Sequence, residues 1–223
     1  LAAEANLAEL LFNRGELDEA MRRFDRFIDV YNAADGRLRA AELVAVGRAM
    51  SYLGRTTPVL FHDALKAYDE ASGVDPGWAE PLVRVGALFL SKYDSQSAQT
   101  EFNKVLALNP RHPAALLGLA EALEFDNAPG ASNVLNRLLE VNPNHVEARA
   151  LLAAQHLTRE GHAEARAEAE KALGVNPNAL VALTALAGSH MLAGDDADFR
   201  EVRSRALTIN PRYAALDATL AEL

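Results

Sequence analysis

The segment AQTEFNKVLALNPRHPAALLGLAEAL, residues 98–123, contains the pattern from which the fold can be worked out. Its apolar residues recur at spacings of three and four on both sides of Pro110, which is the period of an amphipathic helix. Proline lacks an amide hydrogen and clashes with the preceding helical turn, so a helix must end before Pro110. The segment therefore predicts the end of one helix, an Asn-Pro turn and the start of another helix.

The same proline recurs along the chain at a nearly constant interval. Pro76, Pro110, Pro143, Pro177 and Pro211 are 34, 33, 34 and 34 residues apart. A fixed period of this length is the signature of stacked supersecondary units. A second series pairs an aliphatic residue with a small one, at Leu7-Ala8, Val46-Gly47, Val85-Gly86, Leu119-Ala120, Leu152-Ala153 and Leu186-Ala187. Because a larger residue in mid-helix would overpack against a close partner helix, the small residues mark helix–helix contacts.

The combined pattern resembles the tetratricopeptide repeat. It has an aliphatic–small pair in the first helix, a polar turn, an Ala and then an aromatic residue in the second helix, and a closing proline. The resemblance covers nearly the whole chain and implies an all-α fold, a right-handed α-solenoid superhelix of antiparallel helix hairpins. We expect one solenoid over residues 1–223. Its repeats would be approximately 1–39, 40–78, 79–112, 113–145, 146–179 and 180–213, with 214–223 as a capping helix or a truncated seventh repeat.

The first two units are longer than the others. Ala8, Gly47 and Gly86 are each 39 residues apart, whereas later members of the series are 34 or 33 apart. In the first unit the extra residues precede Gly47, where no proline stops a helix, and we expect a loose or helix-extended link. In the second unit they follow Gly54, and we expect a longer loop between the two helices.

The composition limits the classes of partner. Lys plus Arg number 22 against 31 Asp plus Glu, and the resulting net charge of −9 repels a nucleic-acid backbone, so we expect no nucleic-acid partner. No apolar run approaches the roughly 20 residues that cross a bilayer, so we expect a soluble chain without membrane insertion. The absence of Cys removes disulfides and sulfur ligands, and it leaves both the cytoplasm and the periplasm open as compartments.

The sequence contains no recognisable catalytic motif. It has no His-Glu-x-x-His pair, no phosphate-binding glycine loop and no Gly-x-Ser-x-Gly elbow. We therefore predict that the protein is not an enzyme and has no cofactor.

Two histidines have a regular spacing. His156 and His190 are 34 residues apart and occupy equivalent places in adjacent first helices, which would allow a metal site or a pH switch. The favoured alternative is that they fill packing positions held by Phe89 and Leu123 in earlier units. We therefore predict no metal site.

The resembled family implies where a partner binds. Its stacked hairpins form a superhelix whose first helices line a concave groove, and this groove is the expected site for a protein or peptide segment, either an amphipathic helix or an extended chain. The groove positions implied by that geometry are Phe12, Val44, Arg48, Tyr52, Val83, Leu90, Leu117, Glu121, Phe125, Leu157 and Met191. Any one of these side chains could instead pack between neighbouring first helices.

Some members of the family hold the C-terminal carboxylate of chaperones with a clamp of Lys and Asn residues in this groove. The corresponding places here hold Ala5, Val44, Glu9 and Arg48. We therefore expect no such clamp and no chaperone-tail ligand.

Three functions fit these observations. The leading one is a non-catalytic scaffold for protein–protein interaction that binds its partner in the groove. A second is a structural module that self-associates end to end, because the pair Leu220-Ala221 adds half a repeat. A third is a regulatory or positioning segment of a larger bacterial protein, which could be an enzyme, because Leu1 already stands inside a helical pattern.

Overall fold

The chain folds into helices joined by short links. A computed structural model describes residues 1–221, and these residues form thirteen helices and no strand. The helices are α1 (Ala2–Asn13), α2 (Leu17–Ala34), α3 (Ala40–Leu53), α4 (Leu60–Val74), α5 (Glu80–Ser91), α6 (Ser95–Leu108), α7 (Pro113–Phe125), α8 (Ala131–Val141), α9 (Val146–Leu157), α10 (His162–Val175), α11 (Leu180–Ala193), α12 (Asp196–Ile209) and α13 (Ala214–Ala221). Over the described residues, no helix is both long and apolar enough to cross a membrane.

The helices belong to two compact units. Unit 1 comprises Leu1–Asn127 and unit 2 comprises Ala128–Leu223. In unit 1, α1 packs with α2, α3 with α4 and α5 with α6, and α7 packs on α6. In unit 2, α9 packs with α10, α11 with α12, and α13 on α11. The predicted all-α fold of paired helices is confirmed, and the single solenoid with its repeat boundaries stays a prediction.

The Asn-Pro turns share one hydrogen-bonding device. The side-chain oxygen of each Asn accepts a hydrogen bond from the amide two residues later, at 3.1 Å for Asn109, 3.0 Å for Asn142 and Asn176, and 2.9 Å for Asn210. An Asn side chain that imitates a backbone turn in this way explains why Asn precedes each of these prolines. Nδ1 of His112 and of His145 then accepts from the amide three residues later and caps α7 and α9, respectively.

Gly47 and Gly86 are close-contact points between helices, as predicted. A Cβ atom on Gly47 would lie 2.5 Å from Cε1 of Tyr68, and one on Gly86 would lie 2.7 Å from Cε1 of Phe102. Gly118 of α7 contacts the same Phe102 ring. The second helices therefore insert their aromatic rings at the places where the first helices have no side chain.

The two longer hairpins, α1–α2 and α3–α4, also agree with the sequence analysis. Helix α2 runs for 18 residues, so of the two expected forms, a loose link or an extended helix, the structure has the extended helix. It ends where Asp35 and Gly36 adopt left-handed φ angles of 50° and 74°. In the α3–α4 hairpin, residues 54–59 form the longer link that was expected between the two helices.

Each unit has its own core. In unit 1 the largest fully buried side chains include the rings of Phe24, Tyr68 and Phe102. In unit 2 they include Leu183 and Leu216, which pack with a row of buried alanines. The aromatic core of unit 1 supports the first helices that carry the candidate site.

Candidate functional site

A pocket opens between the first helices of unit 1. Its volume is about 190 Å³, and its walls come from α1, α3 and α5, from the α3–α4 link and from one residue of α4. The lining residues are Glu9, Arg48, Ser51, Tyr52, Arg55, Tyr68, Arg84, Ala87, Leu88 and Ser91. The structure thus brings together Arg48 and Tyr52, which the sequence placed in the groove.

Arg48 closes one side of the pocket by joining α3 to α1. Its Nε donates to Oε1 of Glu9 at 2.8 Å, and its Nη2 donates to Oε2 of Glu9 at 2.6 Å and to Oδ1 of Asn6 at 2.8 Å. Burial alone would lower the pKa of Arg48, but the hydrogen bonds and charge of Glu9 raise it above its ordinary value. The guanidinium is therefore charged, and its orientation is fixed by the bidentate pair.

Tyr52 forms an aromatic wall that other rings hold in place. Its ring stacks on Phe24 with centroids 4.6 Å apart and planes 9° apart, and it meets Phe12 edge-on at 4.9 Å. The guanidinium carbon of Arg55 lies 5.0 Å from the Phe12 centroid and 5.4 Å from the Tyr52 centroid, within range of a cation–π interaction. Burial raises the pKa of the Tyr52 phenol. The side chain is thus a rigid, half-buried ring with a polar tip.

The hydroxyl groups of Tyr68 and Ser51 add polar atoms to the pocket. They are 3.1 Å apart, and Ser51 Oγ also donates to the Gly47 carbonyl at 2.7 Å. Burial raises the pKa of Tyr68 to about 12, so its phenol stays protonated at neutral pH. The close approach of Tyr68 to Gly47 is therefore both a packing contact and a wall of the site.

Three arginines and one glutamate make the pocket locally positive. Arg48 is paired with Glu9, and Arg84 donates to Oε1 of Glu80 at 2.7 Å. Within the described residues, the contacts of the Arg55 guanidinium are with aromatic rings and not with a carboxylate. Although the chain has a net charge of −9, this pocket can therefore accept an anionic group.

Three of the predicted groove residues are packing residues. The exposed fractions of Val44, Val83 and Leu157 are 4%, 7% and 4%. Helices α3, α5 and α9 each contact helices on more than one side, and these side chains point into those contacts. They stabilise the helix packing and offer a partner almost no surface.

The remaining predicted residues retain accessible surface. Phe12 is half-buried against Tyr52, and Phe125 is 47% exposed at the end of α7. The half-buried residues are Leu90 on α5, Leu117 and Glu121 on α7, and Met191 on α11 in unit 2. Their role in binding stays a prediction.

Two arginines of the pocket, Arg55 and Arg84, are not among the groove residues predicted from the sequence. Arg55 stands in the long link after α3, and the five extra residues there were the available signal. Arg84 lies one turn after Glu80 on α5, and a Glu–Arg pair at that spacing indicates a helix-surface ion pair. Neither signal reveals that both side chains border the same pocket.

The two regularly spaced histidines do not come together in a metal-binding group. His190 Nδ1 is 3.4 Å from Asp195 Oδ2 and 3.8 Å from Asp198 Oδ2 in unit 2, and His156 is not a member of this group. Arg166 places Nη2 3.2 Å from the same His190 nitrogen and 2.8 Å from Asp195 Oδ2. Because Arg166 already pairs with Asp195, the arrangement is an ion-pair network beside a buried imidazole.

Comparison with known proteins gives two sequence matches. A family model described as tetratricopeptide repeat matches residues 89–154. The Hsp70-Hsp90 organizing protein of wheat, Triticum aestivum, is 29% identical over 103 residues, which are 44% of this chain. The chain covers 18% of the length of that relative.

Solved structures match over more of the chain. A tetratricopeptide repeat protein from Parabacteroides merdae ATCC 43184 has a TM-score of 0.70 at 18% identity, and the match covers 98% of this chain and 82% of that one. YrrB, described as a TPR protein with an unusual peptide-binding site, has a TM-score of 0.51 at 19% identity, covering 88% of this chain and 98% of that one. Likenesses at these identities show the fold alone, and they confirm the predicted all-α fold of antiparallel helix hairpins, which is that of solved tetratricopeptide repeat proteins.

Proposed function

Because this chain is a protein of tandem tetratricopeptide repeats, we propose that it is a non-catalytic scaffold for protein–protein interaction, and that a segment of its partner binds in the unit 1 pocket. The repeat fold itself suggests such a scaffold. The binding of a segment in this place is proposed from one observation, the pocket between α1, α3 and α5, where two tyrosines and three arginines line a cavity of about 190 Å³.

Tyr52 supports this proposal as an anchor for a partner. Tyr and Arg, together with Trp, are enriched among the side chains that carry most of the binding energy in protein interfaces. The stacking of Tyr52 on Phe24 and its edge contact with Phe12 fix the ring before a partner arrives. A side chain that is already ordered loses little conformational entropy on binding, so the site is preorganised.

The residues that border the pocket determine which partner segment fits it. Arg55 and Arg84 border the pocket beside the apolar surfaces of Ala87 and Leu88. An apolar side chain of the partner would enter the cavity, and a neighbouring carboxylate would reach the guanidinium groups. Both an amphipathic helix and an extended chain can present such a pair of side chains, so the partner is a protein segment of either conformation.

The residues at the places of the family's carboxylate clamp disfavour a chaperone tail as the ligand. At the corresponding places Val44 is buried, and the carboxylate of Glu9 would repel the carboxylate of a tail. Arg48 is engaged by Glu9 in a bidentate pair. A terminal carboxylate would therefore have to break this pair before it could bind there.

The proposal is tested by affinity capture from the native organism with three purified forms of the chain. These are the unaltered chain, Arg55→Glu and Arg26→Glu. Arg55 borders the pocket, whereas Arg26 is exposed on α2, so both variants change the charge equally but only one changes the site. Captured proteins are identified by mass spectrometry.

A protein retained by the unaltered chain and by Arg26→Glu but lost by Arg55→Glu would support the pocket as the binding site. Equal capture by all three forms would contradict that assignment. Replacing Tyr52 with Phe, which keeps the stacked ring and removes the hydroxyl, then separates the apolar contact from the polar one.

End-to-end self-association is a second candidate, favoured by one observation. In the aliphatic–small residue pairs of the first helices, the aliphatic residue is buried at Val46 and Leu119, which are 0% and 8% exposed. Leu7 holds the same position on α1 and is 39% exposed, and Leu10 beside it is 53% exposed. A second copy of the chain could cover this face. Light scattering at high protein concentration tests the idea, and a monomer there would contradict it.

A regulatory or positioning role within a larger bacterial protein stays a prediction. The match to 18% of the wheat relative is consistent with repeats that act as one part of a longer chain. The intact open reading frame would test this role, and a frame that encodes repeats alone would contradict it.

A further inference from the structure

Four helix hairpins of this chain share the same turn. In each, the residue directly before the N-cap of the second helix has a left-handed backbone, with φ of 79° at Gly15, 64° at Tyr93, 60° at Glu160 and 75° at Gly194. Its amide donates to the carbonyl three residues earlier at 2.9, 3.0, 3.0 and 3.2 Å, respectively. The backbone of the turn is therefore the same whichever residue occupies it.

Tyr93 is an unfavourable choice for such a turn. Glycine adopts a left-handed backbone at no steric cost, whereas a bulky L-residue is strained there. The ring of Tyr93 does not repay this strain by burial, because the residue is 79% exposed. Folding alone gives no reason for an aromatic residue at this place.

Among the residues that the structure describes, the Tyr93 ring has one aromatic neighbour, which is also exposed. The centroids of Tyr93 and Phe125 are 5.7 Å apart with planes tilted by 41°, and Phe125 is 47% exposed. Two large rings thus stand side by side on the surface of unit 1. We call these two residues the Tyr93–Phe125 patch.

Carboxylates follow both rings in the chain. Asp94 caps α6 by accepting from the amide of Ser97 at 3.0 Å, and hydrogen bonding by the side chain and the backbone of Ser97 holds the pKa of Asp94 below its ordinary value. Asp126 accepts from Ser95 Oγ at 2.6 Å and from Gln99 Nε2 at 3.0 Å. Both carboxylates are therefore held at the start of α6, and each belongs to the residue that directly follows a ring of the patch in the chain.

The lysine adjacent to Tyr93 does not cover the patch. Lys92 Nζ donates to the Gly54 carbonyl at 3.1 Å and lies 5.6 Å from the Phe61 ring centroid. The cation is thus directed towards the α3–α4 link and α4. Two exposed rings with two neighbouring carboxylates remain available to a positive charge from outside.

We propose that the Tyr93–Phe125 patch binds an arginine side chain of a protein partner. The guanidinium would stack on the exposed rings, where a cation is attracted to the face of an aromatic ring, and Asp94 and Asp126 would compensate its charge. This inference extends the proposed function to a second contact, outside the pocket and of opposite charge preference.

The test uses two short peptides and observes the rings directly. One peptide is acetylated and amidated polyalanine with a single central arginine, and the other carries citrulline, the neutral analogue of arginine, at that place. Each is titrated into the labelled chain, and the aromatic NMR signals of Tyr93 and Phe125 are followed. We expect saturable shifts of both rings with the arginine peptide and clearly smaller shifts with the citrulline peptide.

Three variants complete the test. Tyr93→Asn introduces a residue that tolerates a left-handed backbone, so the fold should keep its thermal midpoint while arginine-peptide binding weakens about 2–5-fold. Val74→Ala, which removes a different exposed apolar side chain of unit 1, should leave binding unchanged. Arg55→Glu disables the pocket and should leave the ring shifts intact, so that failure of the pocket and failure of the patch are distinguishable.

Equal shifts with both peptides would overturn the proposal, because binding would then not depend on the charge. Shifts spread over the acidic surface without preference for the two rings would also overturn it, since they would show general attraction to a chain of net charge −9. If the arginine peptide no longer shifted the signals of Tyr93 and Phe125 in Arg55→Glu, those shifts would depend on the pocket. This outcome would also overturn the proposal of a separate patch.

Discussion

Arg48 of α3 and Glu9 of α1 form a bidentate ion pair across two consecutive first helices, at 2.8 and 2.6 Å. The side chains are 12% and 22% exposed, so water screens the pair only in part. Removal of one partner leaves the other charged group half-buried without compensation, which is more costly than removal of both.

A double-mutant cycle with Glu9→Gln and Arg48→Met measures this pair. We expect a coupling of about 1–2 kcal/mol in the free energy of unfolding, obtained from urea titrations followed by circular dichroism. The exposed pair Arg200–Asp196, with side chains 76% and 80% exposed, serves as the control and should give less than about 0.5 kcal/mol. Equal coupling in the two pairs would contradict the account of the pocket wall.

The glycine contacts make a second prediction. Gly86→Ala would place a Cβ 2.7 Å from Cε1 of the buried Phe102 ring, and we expect it to lower the free energy of unfolding by about 1–3 kcal/mol. Gly73→Ala on α4 is the matched control, because no atom lies within 4 Å of its new Cβ. Helix propensity should make this second variant neutral or more stable by up to about 1 kcal/mol. Equal loss in the two variants, measured by urea denaturation, would refute the contact.

Tyr68 makes a prediction about alkaline pH. Burial raises its pKa from 10.0 to about 12, so the folded state retains a proton that the unfolded state loses first. The contribution of the protonated Tyr68 phenol to the free energy of unfolding is fully present below pH 10 and is lost as the pH rises towards 12. In Tyr68→Phe, the free energy of unfolding should therefore fall less between pH 10 and pH 12 than in the unaltered chain, by on the order of 2 kcal/mol. Unfolding free energies measured at a series of pH values check this.

The control for this measurement is Tyr93→Phe, because the Tyr93 ring is 79% exposed. It should leave the alkaline loss of stability unchanged. An unchanged loss in Tyr68→Phe as well would show that the phenol does not contribute. Tyr31, whose pKa burial and Glu70 also raise to about 12, provides an independent second case.

The periodic features of the fold could be predicted from the sequence because each has a local cause. Pro110 ends a helix whatever surrounds it, and Gly47 and Gly86 allow close approach wherever a second helix packs. The absence of a proline before residue 47 indicated either a loose link or an extended helix, and the structure has the extended α2. Such signals depend on residues that are near in sequence, so they can be interpreted without knowledge of the tertiary structure.

The site was harder to predict because exposure depends on neighbours that are distant in sequence. A helical period gives the direction of the apolar stripe but not its width, and α3 is buried around most of its surface. Val44 is therefore buried while Arg48, one turn later, lines the pocket. Arg55 was missed because its place over Phe12 and Tyr52 depends on how the α3–α4 link folds towards α1.

Peptide affinity tests the central claim most directly. A peptide enriched from a random display library on the unaltered chain would be titrated by calorimetry into the unaltered chain, Arg55→Glu and Arg26→Glu. The account predicts an acidic residue beside an apolar anchor in that peptide, at least about tenfold weaker binding to Arg55→Glu, and unchanged binding to Arg26→Glu. Equal affinity for all three forms would contradict the pocket as the binding site.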